Sequence, residues 1–411
     1  MMKTESMLII FLFAFLLLDC NTTEPPEIKN ITLSVEDVSC TEAWLKVTSE
    51  STSGEIIITG DETEVKRLNA TFSDTIVYID SLLPSKTYTL QALLAENGNI
   101  TGRSEKITAK TLDTTSHNFA WQSWTFGGGI NSSYLTDVEI INENNIWAVG
   151  EIFINDSLGN PDYQPYSIAK WDGIEWKLKK LFYDSNSIIA PIRDILVLSK
   201  NDIYLAAGSI FHWDGVSSAA QLVYSRLSLP DPDATIEKLW GNSNSSLYGV
   251  GNAGTIVFFN GQNWNRIESG TEIRLTDIYG TKDGKNIWTC GWDNNHSGGV
   301  ILQIDNPTTK LIWDGISNNG EYLNSINTLW TNGGEFWLAG GFVFRHSLLF
   351  SDKGHLVRIP IENGSILFDP GNFVLRIRGT KKNNIFLAGD LGMLWHFNGV
   401  RWYKFNELYN E

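Results

Sequence analysis

Between residues 27 and 111 apolar and polar residues alternate in short runs separated by Gly, Ser and Asp. Ile31-Thr32-Leu33-Ser34-Val35, Ala43-Trp44-Leu45-Lys46-Val47 and Thr75-Ile76-Val77-Tyr78-Ile79 are examples. A period of two places alternate side chains on opposite faces of a strand, so each run predicts a half-buried β-strand. Roughly seven strands in one short segment predict a sandwich of two antiparallel sheets. Past residue 118 the pattern changes. A polar pair, an apolar residue, an aromatic and a nearby Gly recur six times. The aromatics are Trp147, Tyr204, Tyr248, Trp288, Trp337 and Phe386, and the glycines Gly150, Gly208, Gly251, Gly291, Gly340 and Gly389.

Successive copies lie 40 to 57 residues apart. Each anchor follows one alternating strand and precedes another, and most then meet a tight turn such as Asp172-Gly173, Asp214-Gly215, Asn260-Gly261 or Asn398-Gly399. Asp-Gly and Asn-Gly suit type I′ hairpins, which need positive φ at both central residues. Four antiparallel strands at this period are the signature of a propeller blade. One blade cannot cover both faces of its own sheet, so the aromatics are expected between blades and the glycines at close strand approaches. The fold class expected is all-β: an N-terminal fibronectin type III β-sandwich followed by a six-bladed, alternatively seven-bladed, β-propeller. A leftover run, residues 119–126 with Trp121 and Trp124, reads as a strand that joins the last blade and helps close the ring.

The fibronectin type III assignment rests on a resemblance. Leu82-Leu83-Pro84-Ser85-Lys86-Thr87-Tyr88 resembles the tyrosine corner of that family, and Trp44 falls where its members keep a core Trp. The first twenty residues carry Lys3, an apolar run over residues 7–18 and then Leu17-Leu18-Asp19-Cys20. This end resembles the lipobox of bacterial lipoproteins, although Asp19 stands where that motif prefers a small residue. The resemblance implies lipidation at Cys20 and a place in the cell envelope, on the periplasmic or outer-surface side of a bacterial membrane. The domains expected are a signal peptide (1–20), a tether (21–26), the sandwich (27–111), a linker (112–118) and the propeller (119–411).

Charge and chemistry narrow the function. A formal charge of −16, with no cluster of Lys and Arg, argues against a nucleic-acid partner. Cys40 and Cys290 fall in different expected domains, which excludes a disulfide framework and leaves two buried thiols. The six His residues have no metal-ligand spacing, and no nucleophile elbow or phosphate loop is present. No cofactor, no metal site and no catalytic residue is expected.

Two constellations remain. Long connections follow the second and fourth strands of the blades, so one propeller face carries elaborated loops, with Phe153, Tyr163, Tyr166, Tyr183, Trp292 and Tyr322 as candidate binding aromatics. Ten or eleven residues before each anchor aromatic stands a polar residue: Asp137, Asp194, Glu237, Asp277, Asn327 and Arg376. As a ring at the channel mouth these would bind a cation or polar ligand. Alternatively, each would bond backbone amides of the next blade. The function expected is a monomeric, non-catalytic binding or scaffold protein that meets a protein or glycan. The alternative is a carbohydrate-active hydrolase or lyase using acids at the channel mouth.

Overall fold

The computed structural model describes residues 29–128, 131–292, 298–314, 325–332, 335–341, 343–347, 357–358 and 373–406. Cys20 and Tyr322 lie outside them. Among the described residues no helix is long and apolar enough to cross a membrane. The chain divides into two compact units: one holds most of the N-terminal strands, and the other runs from residue 110 onward and includes the segments 37–44 and 80–86.

The N-terminal strands are β1 (Ile31–Val38), β2 (Ala43–Ser49), β3 (Glu55–Gly60), β4 (Thr63–Asn69), β5 (Asp74–Ile79), β6 (Thr87–Glu96), β7 (Asn99–Arg103) and β8 (Ile107–Lys110). They form a three-stranded sheet ordered β1-β2-β5 and a five-stranded sheet ordered β4-β3-β6-β7, with β8 also on β6. Alternation does what the sequence requires of it. Tyr88, Leu90, Ala92 and Leu94 along β6 are all buried, as are Ile56 and Ile58 on β3 and Val77 and Ile79 on β5. Asn97 and Gly98, both at positive φ, make the tight turn between β6 and β7.

The second unit consists of six four-stranded antiparallel sheets among the described residues, each a simple meander in chain order. Their first strands are Tyr134–Asn142, Asp194–Ser199, Ile236–Ser243, Leu275–Gly280, Ile326–Thr331 and Val374–Lys381, which open sheets 1 to 6. First strands of consecutive sheets lie side by side from sheet 1 to sheet 6. Between each consecutive pair sits one hydrophobic cluster. The anchor aromatics of sheets 1 to 5 belong to these clusters: Trp147 of sheet 1 meets Trp213 of sheet 2 edge-on at 5.4 Å, and Trp337 of sheet 5 packs on Phe397 and Trp402 of sheet 6. This radial arrangement of meanders around shared apolar layers is that of a β-propeller.

The recurring glycines follow from a bulge. In sheets 1, 3, 4, 5 and 6 the register slips by one residue near the start of the first strand. There a Cβ on Gly150, Gly251, Gly291, Gly340 or Gly389 would run into the carbonyl oxygen of Tyr134, Thr235, Arg274, Ser325 or Phe373. Gly208 is the exception: a Cβ there would make only ordinary contacts at 3.8 Å, and its φ is 77°.

Two expectations are corrected. In the Asp-Gly and Asn-Gly turns only the Gly has positive φ. The Asp or Asn instead caps a longer turn: Asp172, Asp214, Asn260 and Asn398 each accept from the backbone N–H groups two and three residues on, at 2.7–3.0 Å. Residues 119–126 form no strand. The segment is a strap whose aromatics serve two sheets at once. Phe119 and Trp121 pack on Phe405, after the last strand of sheet 6, at 5.8 and 4.8 Å. Trp124 and Phe126 pack on Trp176 of sheet 1 at 5.8 and 5.3 Å. A single edge strand in one ladder would not place them on both sheets.

Candidate functional site

Beside each bulge, two successive positions on the first strand carry polar side chains, Leu375 excepted, and register separates them. Asp137, Asp194, Lys238, Asp277, Thr328 and Arg376 occupy equivalent positions opposite the second strand. Thr136, Glu237, Thr276, Asn327 and Leu375 are the bulged residues just before. Of the six residues expected to form one ring, four share this register position: Asp137, Asp194, Asp277 and Arg376. Glu237 and Asn327 belong to the bulged position, with Lys238 and Thr328 in their places. Lys238 stands ten residues before Tyr248, one closer than Glu237, and in sheet 5 a shorter turn leaves Thr328 only nine before Trp337.

Both positions stitch sheet to sheet. At the ring position Asp137 accepts from Ile195 N at 3.3 Å, Asp194 from Leu239 N at 2.7 Å, Asp277 from Leu329 N at 3.0 Å, and the Thr328 hydroxyl from Ile377 N at 3.3 Å. Each donor lies on the next sheet. At the bulged position the bonds run to carbonyls: Thr276 donates to Asn327 O at 2.8 Å, and Asn327 Nδ2 to Leu375 O at 3.0 Å. Buried polar groups at blade contacts are thereby satisfied.

Two basic residues extend this stitching. Lys238 of sheet 3 bonds the Asp194 carboxylate and lies 3.4 Å from Asp137 Oδ1, tying sheets 1 to 3. Arg378 of sheet 6 reaches Asp277 of sheet 4 through two bonds of 2.9 Å and donates to Leu329 O of sheet 5 at 3.0 Å. Burial raises the Asp277 pKa, but the Arg378 guanidinium more than offsets this and holds the carboxyl well below the usual range. Asp194 moves the other way, pushed well up by burial and by the Asp137 charge. Against its own burial, the Lys238 ammonium keeps Asp137 low. These acids are consumed by structure. Glu139, two residues beyond Asp137, is the exception: burial, then the Asp137 charge, lifts it to about 7.

The mouth at the loop-bearing end is a cavity of about 680 Å³. Its lining includes Arg193, Arg274 and Arg376, a single carboxylate in Glu237, and the aromatics Trp292 and Phe373. Glu237 accepts from Arg274 Nε at 2.8 Å and lies 3.6 Å from Arg193. Trp292 and Phe373 stand 5.2 Å apart at 44°. Among the described residues, the mouth expected to be acidic thus carries three guanidinium groups against one carboxylate.

Of the candidate aromatics, Trp292 lines this cavity. Phe153 is buried, and Tyr166 lies under the Lys180 ammonium at 5.0 Å. Tyr163 and Tyr183 are exposed elsewhere on the surface, 68% and 48% accessible. Cys40 and Cys290 are buried free thiols, and burial pushes Cys40 up to about 11. Among the described residues no group of three or more His, Cys, Asp or Glu has the arrangement to hold a metal ion.

The fold and this central cavity define a β-propeller protein. No family model matches the sequence, and no curated protein matches it either. Solved structures do resemble it. YCF48 bound to D1 peptide matches with 14% identity over 71% of this chain and 87% of that one, at a TM-score of 0.50. The Myceliophteria thermophila Cps50 (Swd1) β-propeller domain has 11% identity over 67% and 88%, TM-score 0.46. The C-terminal WD40 domain of Sif2 has 10% identity over 76% of each chain, TM-score 0.42. At such identity the likeness to YCF48 speaks for the fold alone.

Proposed function

We propose that this is an exported, lipid-anchored, non-catalytic binding protein of the bacterial cell envelope. Cys20 carries the lipid, and a fibronectin type III domain holds a six-bladed propeller away from the membrane. The propeller acts as a monomer and presents its loop-bearing mouth to a protein partner. The sheet orders β1-β2-β5 and β4-β3-β6-β7 support the fibronectin reading, together with the buried Trp44. The strap at residues 119–126 supports a six-bladed ring, because its aromatics touch both the last sheet and the first.

The observation that carries the binding reading is the mouth itself: an open cavity with a half-buried aromatic pair and charged side chains, on the face where the long loops emerge. YCF48 holds a peptide on the same kind of scaffold. The acids that would serve glycan hydrolysis are bound to Lys238 and Arg378, which weighs against the catalytic alternative. The test is capture of the partner from envelope extracts by full-length protein. Trp292→Ala is expected to lower capture at least tenfold with the melting temperature kept within a few degrees, as for loss of one interface aromatic. Undiminished capture removes this face from consideration.

A further inference from the structure

We propose that the central cavity recognises an acidic peptide segment, with a ligand carboxylate on Arg376 and a neighbouring apolar side chain against Trp292 and Phe373. This rests on the reading of the mouth as a protein-binding site and names what it selects.

Charge balance is the first support. The whole chain carries −16, yet among the described residues the cavity gathers Arg193, Arg274 and Arg376 around Glu237 as its one carboxylate. Glu237 is already engaged by two of these cations, through bonds to Arg274 and proximity to Arg193. Lys238, deeper in, is neutralised by Asp194 and Asp137. Arg376 makes no ion pair among the described residues, although Asp137 and Asp277 both feel its charge. Its one hydrogen bond runs from a terminal nitrogen to the backbone oxygen of Leu375 at 2.7 Å, and its Nε is buried without an acceptor. A guanidinium offers five donors in a planar fork that matches a carboxylate.

Shape is the second support. Arg193 and Arg274 are about half exposed at the rim, 45% and 48% accessible, so they meet an incoming anion first. The aromatic pair makes an apolar wall beside them. A cavity of about 680 Å³ is of ligand-binding size. A cationic mouth on an acidic protein also attracts acidic segments while the remaining surface repels them.

The test uses the full-length protein and three fluorescein-labelled hexapeptides alternating Phe with Glu, Gln or Lys, read by fluorescence anisotropy. The Glu peptide is expected to bind at least tenfold tighter than the Gln peptide and to weaken with added salt, the Lys peptide not at all. Arg376→Ala is expected to weaken the Glu peptide by about tenfold or more, as for loss of a charged hydrogen bond. Arg193→Glu, at an exposed rim position, is expected to do the same and keeps the test open if the first variant unfolds. Equal binding of Glu and Gln peptides, or indifference to both substitutions, overturns the acidic selection while the loop face stays a binding site. Failure of all three peptides at about 1 mM, where binding is worth only about 4 kcal/mol, overturns the proposal. The binding reading itself then stands or falls on the separate capture by Trp292→Ala.

Discussion

Arg378 and Asp277 meet through two N–H···O bonds of 2.9 Å although they stand on the first strands of sheets 6 and 4, with sheet 5 between them. The same guanidinium donates to Leu329 O of that intervening sheet. Lys238 plays the matching part for sheets 1 to 3 through Asp194 and Asp137. The propeller is thus sewn as two triplets; the Glu237–Arg274 pair links sheets 3 and 4, and the strap aromatics touch both sheet 6 and sheet 1.

Removing Arg378 leaves the Asp277 carboxylate, 1% exposed, without its counter-charge. Arg378→Ala is expected to cost on the order of 3 kcal/mol in urea unfolding, at the low end for a buried pair because the guanidinium is itself partly exposed. Asp277→Asn costs less, since the amide still accepts from Leu329 N. In the double variant the two effects are expected to be clearly sub-additive; simple additivity rules out the coupling.

The strap predicts a second set of stabilities. Phe119 and Trp124 are each roughly 40% exposed, so truncating either to Ala is expected to cost about 1–3 kcal/mol, below the 3–5 expected for the fully packed Trp213. Both strap losses are expected to open the same seam. Hydrogen exchange speeding in sheets 1 and 6, but not in sheet 3, is the pattern that checks it.

Glu139 makes stability depend on pH. Its carboxyl titrates at about 7 in the fold, above its ordinary value of 4.5, so the native state holds a proton that the unfolded chain has released. Its unfavourable contribution is absent below pH 4.5, grows as pH rises through 7 and is then constant. Glu139→Gln is therefore expected to raise the melting temperature at about pH 8 and leave it unchanged near pH 4. An equal shift at both points contradicts the assignment.

His396 acts in the opposite sense. It is fully buried, with Nε2 2.9 Å from Asn384 Oδ1 and Nδ1 2.9 Å from His117 Nδ1. An Nε2–H donating to Asn384 leaves Nδ1 to accept from His117, so both rings are neutral. Burial, then the His117 charge, lowers His396 to about 4, while burial and the nearby Arg401 lower His117. Stability is complete above pH 6.5 and is lost as pH falls towards 4, because only the unfolded chain takes up the proton. The urea midpoint is expected to fall over that window in wild type and to fall less in His396→Gln.

The repeat was legible because its aromatics and glycines answer needs that recur in every sheet: a filler between layers and a gap beside a bulge. The site was less legible. Lys238 and Thr328 hold the positions that counting gave to Glu237 and Asn327, since the distance from ring position to aromatic is not constant and both neighbours are polar. Arg378 occurs once, so no repeat announced it, and its partner lies 101 residues away. The strap looked like a strand because Phe119, Trp121, Trp124 and Phe126 have strand-forming side chains; only the two sheets that share them reveal the difference. The basic mouth was hidden because Arg193 and Arg274 are isolated in sequence and meet only in the fold.

The most direct measurement is photocrosslinking from the full-length protein in intact cells, with a benzophenone amino acid placed at Trp292 or at Thr281, which lines a cavity built from other residues. The account predicts a discrete protein adduct from position 292 and none from 281. Adducts from 281 alone, or equally from both, would contradict it.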